Sequence, residues 1–179
     1  MTYEEKTMKC DRIYEGKILN LRIDTVELPD KKYSKREIVE HPGGVAIVAL
    51  TKDNRILLVR QYRKATDKVL LELPAGKLEV NEEPKETAIR ELKEETGYTA
   101  EKLEYLLECY TSPGFSSEKI YLFFGDNLEQ GDQELESGEF IDVESYTVEE
   151  VKKLVDRGEI MDAKTIIGIQ VLVNRMAKQ

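Results

Sequence analysis

The sequence predicts an α+β domain that follows a small N-terminal antiparallel β-sheet, and three patterns support this. Apolar and polar residues alternate within residues 8–40, as they do in strands with one buried face. Residues 45–50 form a continuous apolar run, which is typical of a central strand covered on both faces. A helical period appears in residues 84–96 and returns after residue 148.

Each element follows from a local pattern and its turn signals. The turn residues Pro42, Gly43 and Gly44 separate the first sheet from the apolar run, so we expect a division into residues 1–42 and 43–179. A strand and turn are expected at residues 12–19, and strands are expected at residues 21–28, 35–39, 45–50, 55–60, 69–73, 103–109, 119–125 and 140–146. Helices are expected at residues 84–96, 148–156 and 163–176. Residues 74–76 should break the strand pattern, and residues 129–138 should form an acidic loop.

Composition excludes several classes of protein. The chain has 179 residues and a formal net charge of −9, and it contains no run of Lys or Arg that would form a basic face, so we do not expect it to bind nucleic acid. The acidity has two readings: it could serve solubility, or some carboxylates could gather around a metal ion. The polar start and the lack of an 18-residue apolar run predict a soluble, cytoplasmic protein with no membrane partner.

Apart from carboxylates, the sequence offers few side chains that could perform chemistry. Cys10 and Cys109 do not form a Cys-x-x-Cys pair, which argues against a zinc or redox site. His41 is the single histidine, and no G-x-S-x-G sequence accompanies it as a nucleophile. The chemistry is therefore expected to depend on Asp or Glu, whose oxygens prefer hard cations.

The helix at residues 84–96 places three carboxylates together. Side chains advance by about 100° per residue, so Glu94 and Glu95 flank Glu91 within an arc of about 100°. Like charges at this spacing repel one another, and the C-terminal end of a helix disfavours anions. A bound Mg²⁺ or Mn²⁺ would relieve that repulsion, whereas a solvated acidic face is the alternative explanation.

The spacing around this helix is specific. Residues 76–98 fit the pattern G-x5-E-x7-R-E-U-x-E-E-x-G-U, where U is a bulky apolar residue. The fixed positions are Gly76, Glu82, Arg90, Glu91, Glu94, Glu95 and Gly97, and Leu92 and Tyr98 fill the two U positions. With odds of about one in ten per position, such a match should arise by chance far less than about once in 10,000 tries. This segment resembles the Nudix box.

The resemblance implies a fold, a reaction and roles for residues. It implies a Nudix fold, an α/β/α sandwich around a mixed β-sheet, in which Mg²⁺, or Mn²⁺, promotes the attack of a water on a diphosphate. Glu91 and Glu95 correspond to the principal metal ligands, Glu94 to a residue that ligates or orients, and the carbonyl of Ala75 to a further ligand. Glu82 and Arg90 would hold the loop and the helix together.

Two segments outside the box resemble the ADP-ribose pyrophosphatases of this family. Ser112 begins a Ser-Pro-Gly loop, in which Pro113, Gly114 and Phe115 would contact substrate, and Glu118, which closes the loop, would contact substrate or metal. The alternative is an ordinary Pro-Gly turn between two strands. Arg60 and Arg63 belong to a Gln-aromatic-Arg segment, in which Arg63 would donate two hydrogen bonds to a phosphate; the alternative is a solvated strand end.

The same resemblance implies a catalytic base and a dimer. A Glu in a loop just before a late strand is the usual base, and Glu139 fits best, with Glu136 and Glu134 as rivals. The N-terminal region would be exchanged across a homodimer and would contribute to the adenine site. The leading function is hydrolysis of ADP-ribose to AMP and ribose 5-phosphate. The alternatives are a pyrophosphatase for another nucleotide sugar or dinucleotide, and a non-catalytic module that binds nucleotide or a protein partner.

Overall fold

The computed structural model describes residues 3–177, which fold into three helices and twelve strands. The strands are β1 (Lys6–Glu15), β2 (Asn20–Glu27), β3 (Tyr33–Glu40), β4 (Gly44–Ala49), β5 (Arg55–Arg63), β6 (Lys68–Glu72), β7 (Ala75–Lys77), β8 (Tyr98–Thr99), β9 (Leu103–Tyr110), β10 (Lys119–Gly125), β11 (Glu129–Gln130) and β12 (Ile141–Thr147). The helices are α1 (Pro84–Thr96), α2 (Val148–Asp156) and α3 (Ala163–Met176). Within the described range, none of the helices has the length and hydropathy needed to cross a membrane.

The chain divides into two compact units. The first contains the described residues up to Gly43 together with residues 110–119, a segment that the expected division at residue 42 does not include. Strands β1, β2 and β3 form an antiparallel sheet with β2 in the centre. β1 begins at Lys6, earlier than the predicted start at residue 12, and it ends at Glu15; nearly all of its residues are exposed, so no buried face marks where it starts.

The second unit is built on a mixed sheet with the strand order β7-β4-β10-β9. β4 and β10 run parallel, with Val45 opposite Tyr121, whereas β7 pairs antiparallel with β4. Every residue of β4 is buried, which confirms the prediction of a central strand covered on both faces. The predicted mixed sheet is therefore confirmed.

Alternate residues of β4 point into two different cores, as the period of a strand requires. Ala46 and Val48 pack in a core that includes Ile169 and Leu172 of α3. The odd-numbered residues of the strand, Val45, Ile47 and Ala49, pack instead in a core that includes Ala88 and Leu92 of α1. Helices therefore cover both faces of this sheet, in the α/β/α arrangement that the resemblance predicts.

A second sheet of the same unit has the order β12-β5-β6 and is antiparallel throughout. On β5, Ile56 and Leu58 pack in the core that contains α3, whereas Leu57 packs in the core that contains α1. The odd-numbered side chains of β5 therefore lie on the same face as Leu57, which is the face toward α1. Arg63, at the end of the strand, is one of these side chains.

The sequence predicted the bounds of the three helices and of β10 as the structure has them. It missed β7, β8 and β11, which have three, two and two residues. The prediction that residues 74–76 only break the strand pattern is wrong, because Gly76 pairs with Val45. Strands of this length have no hydrophobic period of their own, and partners distant in sequence hold them in place.

Candidate active site

Helix α1 is placed so that its glutamates face β7. Glu83 precedes the helix and Pro84 occupies its first turn, where a missing N–H costs nothing. The helix ends at Gly97, which adopts the left-handed conformation with φ of 74° and donates its N–H to the Lys93 carbonyl. With Leu92 buried in the core, the neighbouring Glu side chains are directed toward the strand that precedes the helix.

Glu95 is a buried carboxylate, and few nearby groups compensate for its loss of contact with water. Its side chain is 4% exposed, and the Ala75 N–H donates to Oε2 at 2.8 Å. Burial is the largest influence on its pKa, which is raised to about 8; the charges of Glu91 and Glu139 add to the rise. The hydrogen bond from Ala75 and the charge of Arg63 oppose this effect but do not cancel it.

Glu91 lies directly against the glycine of β7. A Cβ atom at Gly76 would stand 1.8 Å from Cδ of Glu91, so any larger residue there would displace this carboxylate. Burial raises the pKa of Glu91, and the charges of Glu94 and Glu139 add to that rise, whereas Arg90 lowers it. Gly76 is therefore required because it leaves the space that the carboxylate fills.

Arg90 holds the loop before the helix and two of the glutamates. Its Nε and Nη2 each donate to Glu82 at 3.0 Å, so the predicted Glu82–Arg90 pair is confirmed. Its Nη1 donates to Glu91 at 2.9 Å and to Glu94 at 2.8 Å. The hydrogen bonds from Arg90 are the largest influence on the pKa of Glu82, which is lowered to about 2.

The residues of this region fit a hard divalent cation. Within residues 3–177, no three His, Cys, Asp or Glu side chains stand close enough to form a finished metal cage. Arg90 donates to Glu91 and Glu94, and the Ala75 N–H donates to Glu95. The fit rests on two other observations. The pKa values of Glu91, which is half-buried, and of Glu95, which is buried, are both raised, and Gly76 leaves the space that Glu91 fills. Oxygen donors of this kind suit Mg²⁺ or Mn²⁺.

The acidic loop is tied to the end of α1. Gly131 N–H donates to the Gly97 carbonyl at 2.8 Å, and Glu134 N–H donates to the Glu94 carbonyl at 3.0 Å. The side chain of Glu134 also pairs with Lys93 at 2.8 Å. Glu134 is therefore engaged in holding the loop. The loop begins as β11, which pairs with β8, so the expectation of a loop from residue 129 is wrong for its first two residues.

A turn within the loop orients Glu139. The Glu139 N–H donates to the Glu136 carbonyl at 3.1 Å, and the Glu136 N–H donates to the Glu139 carboxylate at 3.0 Å. Gly138 supplies the left-handed conformation that the turn needs, with φ of 97°. Glu139 is also the loop carboxylate whose charge raises the pKa of both Glu91 and Glu95.

Arg63 and Arg60 are both paired with carboxylates in the structure. Arg63 donates from Nε and Nη2 to Glu72 at 2.8 and 2.9 Å. Arg60 donates in the same way to Glu144, which also accepts from Tyr146. The sequence predicts two hydrogen bonds from Arg63 to a phosphate, but this edge of its guanidinium is bonded to Glu72. A phosphate contact therefore stays a prediction and is limited to the other edge.

The Ser-Pro-Gly loop belongs to the first unit, where it is fastened to β3. Val39 donates its N–H to the Phe115 carbonyl at 2.8 Å and accepts from the Ser117 N–H at 2.9 Å. The side chain of Glu118 accepts from Thr111 at 2.6 Å and lies 3.6 Å from Nδ1 of His41. Pro113 and Gly114 lie in the same loop, whose substrate contacts stay a prediction.

The sequence reasoning missed Glu72 and Lys164. Glu72 is 1% exposed and accepts from both Arg63 and Lys164. A signal was present, because Glu72 interrupts an apolar strand, and a charge in such a position needs a buried partner. The partner could not be identified, because Lys164 lies 92 residues further along the chain.

Comparison with known proteins agrees with this geometry. Over 178 residues the chain is 47% identical to the ADP-ribose pyrophosphatase of Bacillus subtilis (strain 168), covering 98% of this chain and 96% of that protein. It is 45% identical over 172 residues to the methanol dehydrogenase activator of Bacillus methanolicus, covering 95% and 93%. A solved structure described as that of an ADP compounds hydrolase has a TM-score of 0.86 and 19% identity, covering 98% of this chain and 96% of that one, which shows the shared fold.

An α/β/α sandwich in which the glutamates of α1 lie beside β7 is the kind of arrangement that metal-dependent hydrolases use. The NUDIX domain model matches residues 40–166, which include the whole of α1 and the acidic loop. The chain belongs to the Nudix family.

The raised pKa of Glu95 predicts how stability depends on pH. The pKa is 4.5 for an ordinary Glu and about 8 in the folded chain. The folded state thus holds a proton that the unfolded state releases, and the free energy of unfolding of the metal-free protein falls as pH rises from 4.5 to 8. We expect Glu95→Gln to remove this slope and to raise the free energy of unfolding by roughly 2–4 kcal/mol at pH 8.5.

Urea denaturation in EDTA at several pH values measures this effect. Glu94→Gln is the matched control, because Glu94 is on the same helix but pairs with Arg90, and its loss should change stability by less than about 1 kcal/mol. Added Mg²⁺ should stabilise the wild type more than Glu95→Gln. A Glu95→Gln protein that is less stable than the wild type in EDTA at pH 8.5 contradicts the prediction.

Proposed function

We propose that this chain hydrolyses the diphosphate bond of ADP-ribose to give AMP and ribose 5-phosphate, with Mg²⁺ as its metal and Mn²⁺ as a substitute. The observation that carries the proposal is the position of Glu91 against Gly76 and of Glu95 on the Ala75 N–H, both with raised pKa values. When bound there, divalent ions would neutralise charge on the diphosphate and lower the pKa of the attacking water. Glu94 would join these ligands, and the Ala75 carbonyl would be a further one.

Glu139 is the best candidate to accept the proton of that water. Its carboxylate acts electrostatically on Glu91 and Glu95, and the turn that it forms with Glu136 orients it. Glu134 is a weaker candidate, because its side chain pairs with Lys93. Glu136 and Glu139 are both exposed, but Glu136 contributes its backbone N–H to the turn, whereas Glu139 contributes its carboxylate.

ADP-ribose is supported as the substrate by the relative from Bacillus subtilis, which carries that activity in its name and is similar over nearly the full chain. Arg63 is consistent with a substrate that contains a diphosphate. Its charge acts on Glu95, and one edge of its guanidinium faces away from Glu72. Arg60, Pro113, Gly114, Phe115 and Glu118 remain candidates for contacts with the rest of the substrate. A cytoplasmic location also remains a prediction.

A panel of substrates tests the proposal. The purified protein is incubated with Mg²⁺ and, separately, with ADP-ribose, a GDP-sugar, NAD and a dinucleoside polyphosphate, and the products are separated by chromatography. We expect ADP-ribose to give the highest kcat/KM and to release AMP. Rapid turnover of another compound with ADP-ribose left intact supports the alternative, a different nucleotide-sugar or dinucleotide pyrophosphatase. If none of these compounds is hydrolysed, the result supports the remaining alternative, a non-catalytic module that binds nucleotide or a protein partner.

The name of the Bacillus methanolicus relative favours a second candidate, an effect on a dehydrogenase. Adding this protein to a purified methanol dehydrogenase, with and without Mg²⁺, measures it directly. An increase in dehydrogenase rate that is lost with Glu95→Gln would connect that effect to the proposed hydrolytic site.

The assignment of the base is tested by three matched variants. We expect Glu139→Gln to lower kcat for ADP-ribose by about 10²-fold or more, with a smaller effect of Glu136→Gln and of Glu134→Gln. Each change removes one charge from the same loop, so a common electrostatic effect cancels in the comparison. A larger loss in either of the other two variants than in Glu139→Gln would reject Glu139 as the base.

We also propose a homodimer in which the N-terminal region is exchanged, because the first sheet leaves large apolar side chains exposed. These are Met8, Ile13, Tyr14, Ile18 and Tyr33. Burial of such residues against a second copy would contribute the hydrophobic free energy that a stable dimer needs. We expect light scattering to give twice the chain mass of 20.6 kDa. A monomer at every concentration would reject the dimer.

A further inference from the structure

The end of β6 carries a buried ionic cluster outside the residues of the Nudix box. Glu72 is 1% exposed, and its carboxylate accepts from Arg63 on one side and from Lys164 on the other. Burial alone would raise the pKa of Glu72, but the hydrogen bonds from Arg63 and the charge of Lys164 lower it to about 2. Glu72 is therefore ionised at neutral pH and holds two cations.

Lys164 is placed in this cluster by the first turn of α3. Asp162 caps that helix, accepting from the Thr165 N–H at 2.9 Å and from its hydroxyl at 2.6 Å. Lys164 lies 3.1 Å from Asp162, and its side chain is 13% exposed. A cation at the N-terminal end of a helix is disfavoured by the helix dipole, so carboxylates must hold it there.

The cluster is joined to the metal-binding carboxylates through four consecutive residues. Thr165 Oγ1 accepts from the Leu73 N–H at 2.8 Å, and two residues later the Ala75 N–H donates to Glu95 at 2.8 Å. The backbone between Glu72 and Ala75 is thus fixed by α3 at one end and by Glu95 at the other. A displacement of the cluster would be transmitted to the Glu95 carboxylate.

Arg63 is bonded to Glu72 and acts on Glu95 through its charge. Its charge lowers the pKa of Glu95, and Glu95 in turn raises the pKa of Arg63 after the larger effect of Glu72. Glu72 receives Nε and Nη2, so Nη1 is on the edge that faces away from Glu72. Glu95 is buried and lacks a full counter-charge, so a guanidinium that lost Glu72 would be attracted toward it.

We propose that Glu72 and Lys164 are positioning residues that hold the Arg63 guanidinium beside the Glu91–Glu95 pair rather than on it. The pair then stays available to a divalent ion, and the outer edge of Arg63 stays available to a phosphate of the substrate. The second half of this inference rests on the proposed function. The first half concerns the metal alone and can be tested without any substrate.

The test measures Mg²⁺ affinity by calorimetry without substrate, and kcat and KM for ADP-ribose. We expect Glu72→Gln to weaken Mg²⁺ binding about 10-fold and to raise KM about 10-fold, since partners of metal ligands commonly contribute this much. Arg63→Gln should raise KM without weakening Mg²⁺ binding, because it removes a cation. In the double variant, Glu72→Gln should no longer weaken Mg²⁺ binding, because the competing guanidinium is gone.

Lys164 gives a second test that does not depend on the folding of Glu72→Gln. We expect Lys164→Gln to shift KM and Mg²⁺ affinity in the same direction, and Lys164→Arg to restore both. Glu104→Gln is the matched control, because it removes a carboxylate that pairs with Arg175 at the other end of α3, and it should change neither value. Circular dichroism and thermal melting report whether each variant folds.

Each outcome separates the inference from the proposed function. A wild-type protein that binds Mg²⁺ but does not hydrolyse ADP-ribose rejects the proposed function, and the Mg²⁺ measurements still decide the role of Glu72 and Lys164. Glu72→Gln and Lys164→Gln proteins with wild-type Mg²⁺ affinity overturn the inference. It is also overturned when the double variant binds Mg²⁺ as weakly as Glu72→Gln alone, because the effect is then structural.

Discussion

The desolvation of two carboxylates is the constraint on which the site depends. Glu91 and Glu95 are drawn out of water by the packing of α1 on the sheet, and the pKa of Glu95 reaches about 8. The same packing that buries Leu92 in the core fixes the direction of these side chains. The contacts that pack the helix therefore also place two like charges where water solvates them poorly, which disfavours their ionised forms.

The remaining charges around the pair act at different distances. Arg90 contacts Glu91 and Glu94 directly and also holds the loop before the helix through Glu82. Arg63 acts on Glu95 through its charge while its hydrogen bonds go to Glu72. Arg90 therefore partly neutralises the carboxylates by direct contact, whereas Arg63 acts on Glu95 only through its charge.

The sequence predicted much of the fold because local patterns control it. The bounds of α1, α2 and α3 follow from helical periodicity and from end signals such as Pro84 and Gly97, and the central position of β4 follows from its apolar run. Strands of two or three residues were missed, because contacts distant in sequence create them. β1 was predicted too short, because it is exposed and has no buried face to mark it.

The same division holds for the site. Glu91, Glu94, Glu95, Glu82 and Arg90 lie within one helix and the loop before it, so their spacing identifies them. The contact of Arg63 with Glu72 spans nine residues, and that of Glu72 with Lys164 spans 92, and no period of the sequence encodes either. Their detection needs the three-dimensional arrangement of β5, β6 and α3.

The acidic loop has a consequence for how such an enzyme can vary. Its first half is bonded to carbonyl groups at the end of α1, through Gly131 and Glu134. Its second half, residues 135–140, is mostly exposed, and Phe140 is 87% exposed. Insertions or exchanges in that second half would leave the backbone bonds to α1 intact, so the side chains that this segment presents can vary independently of the helix.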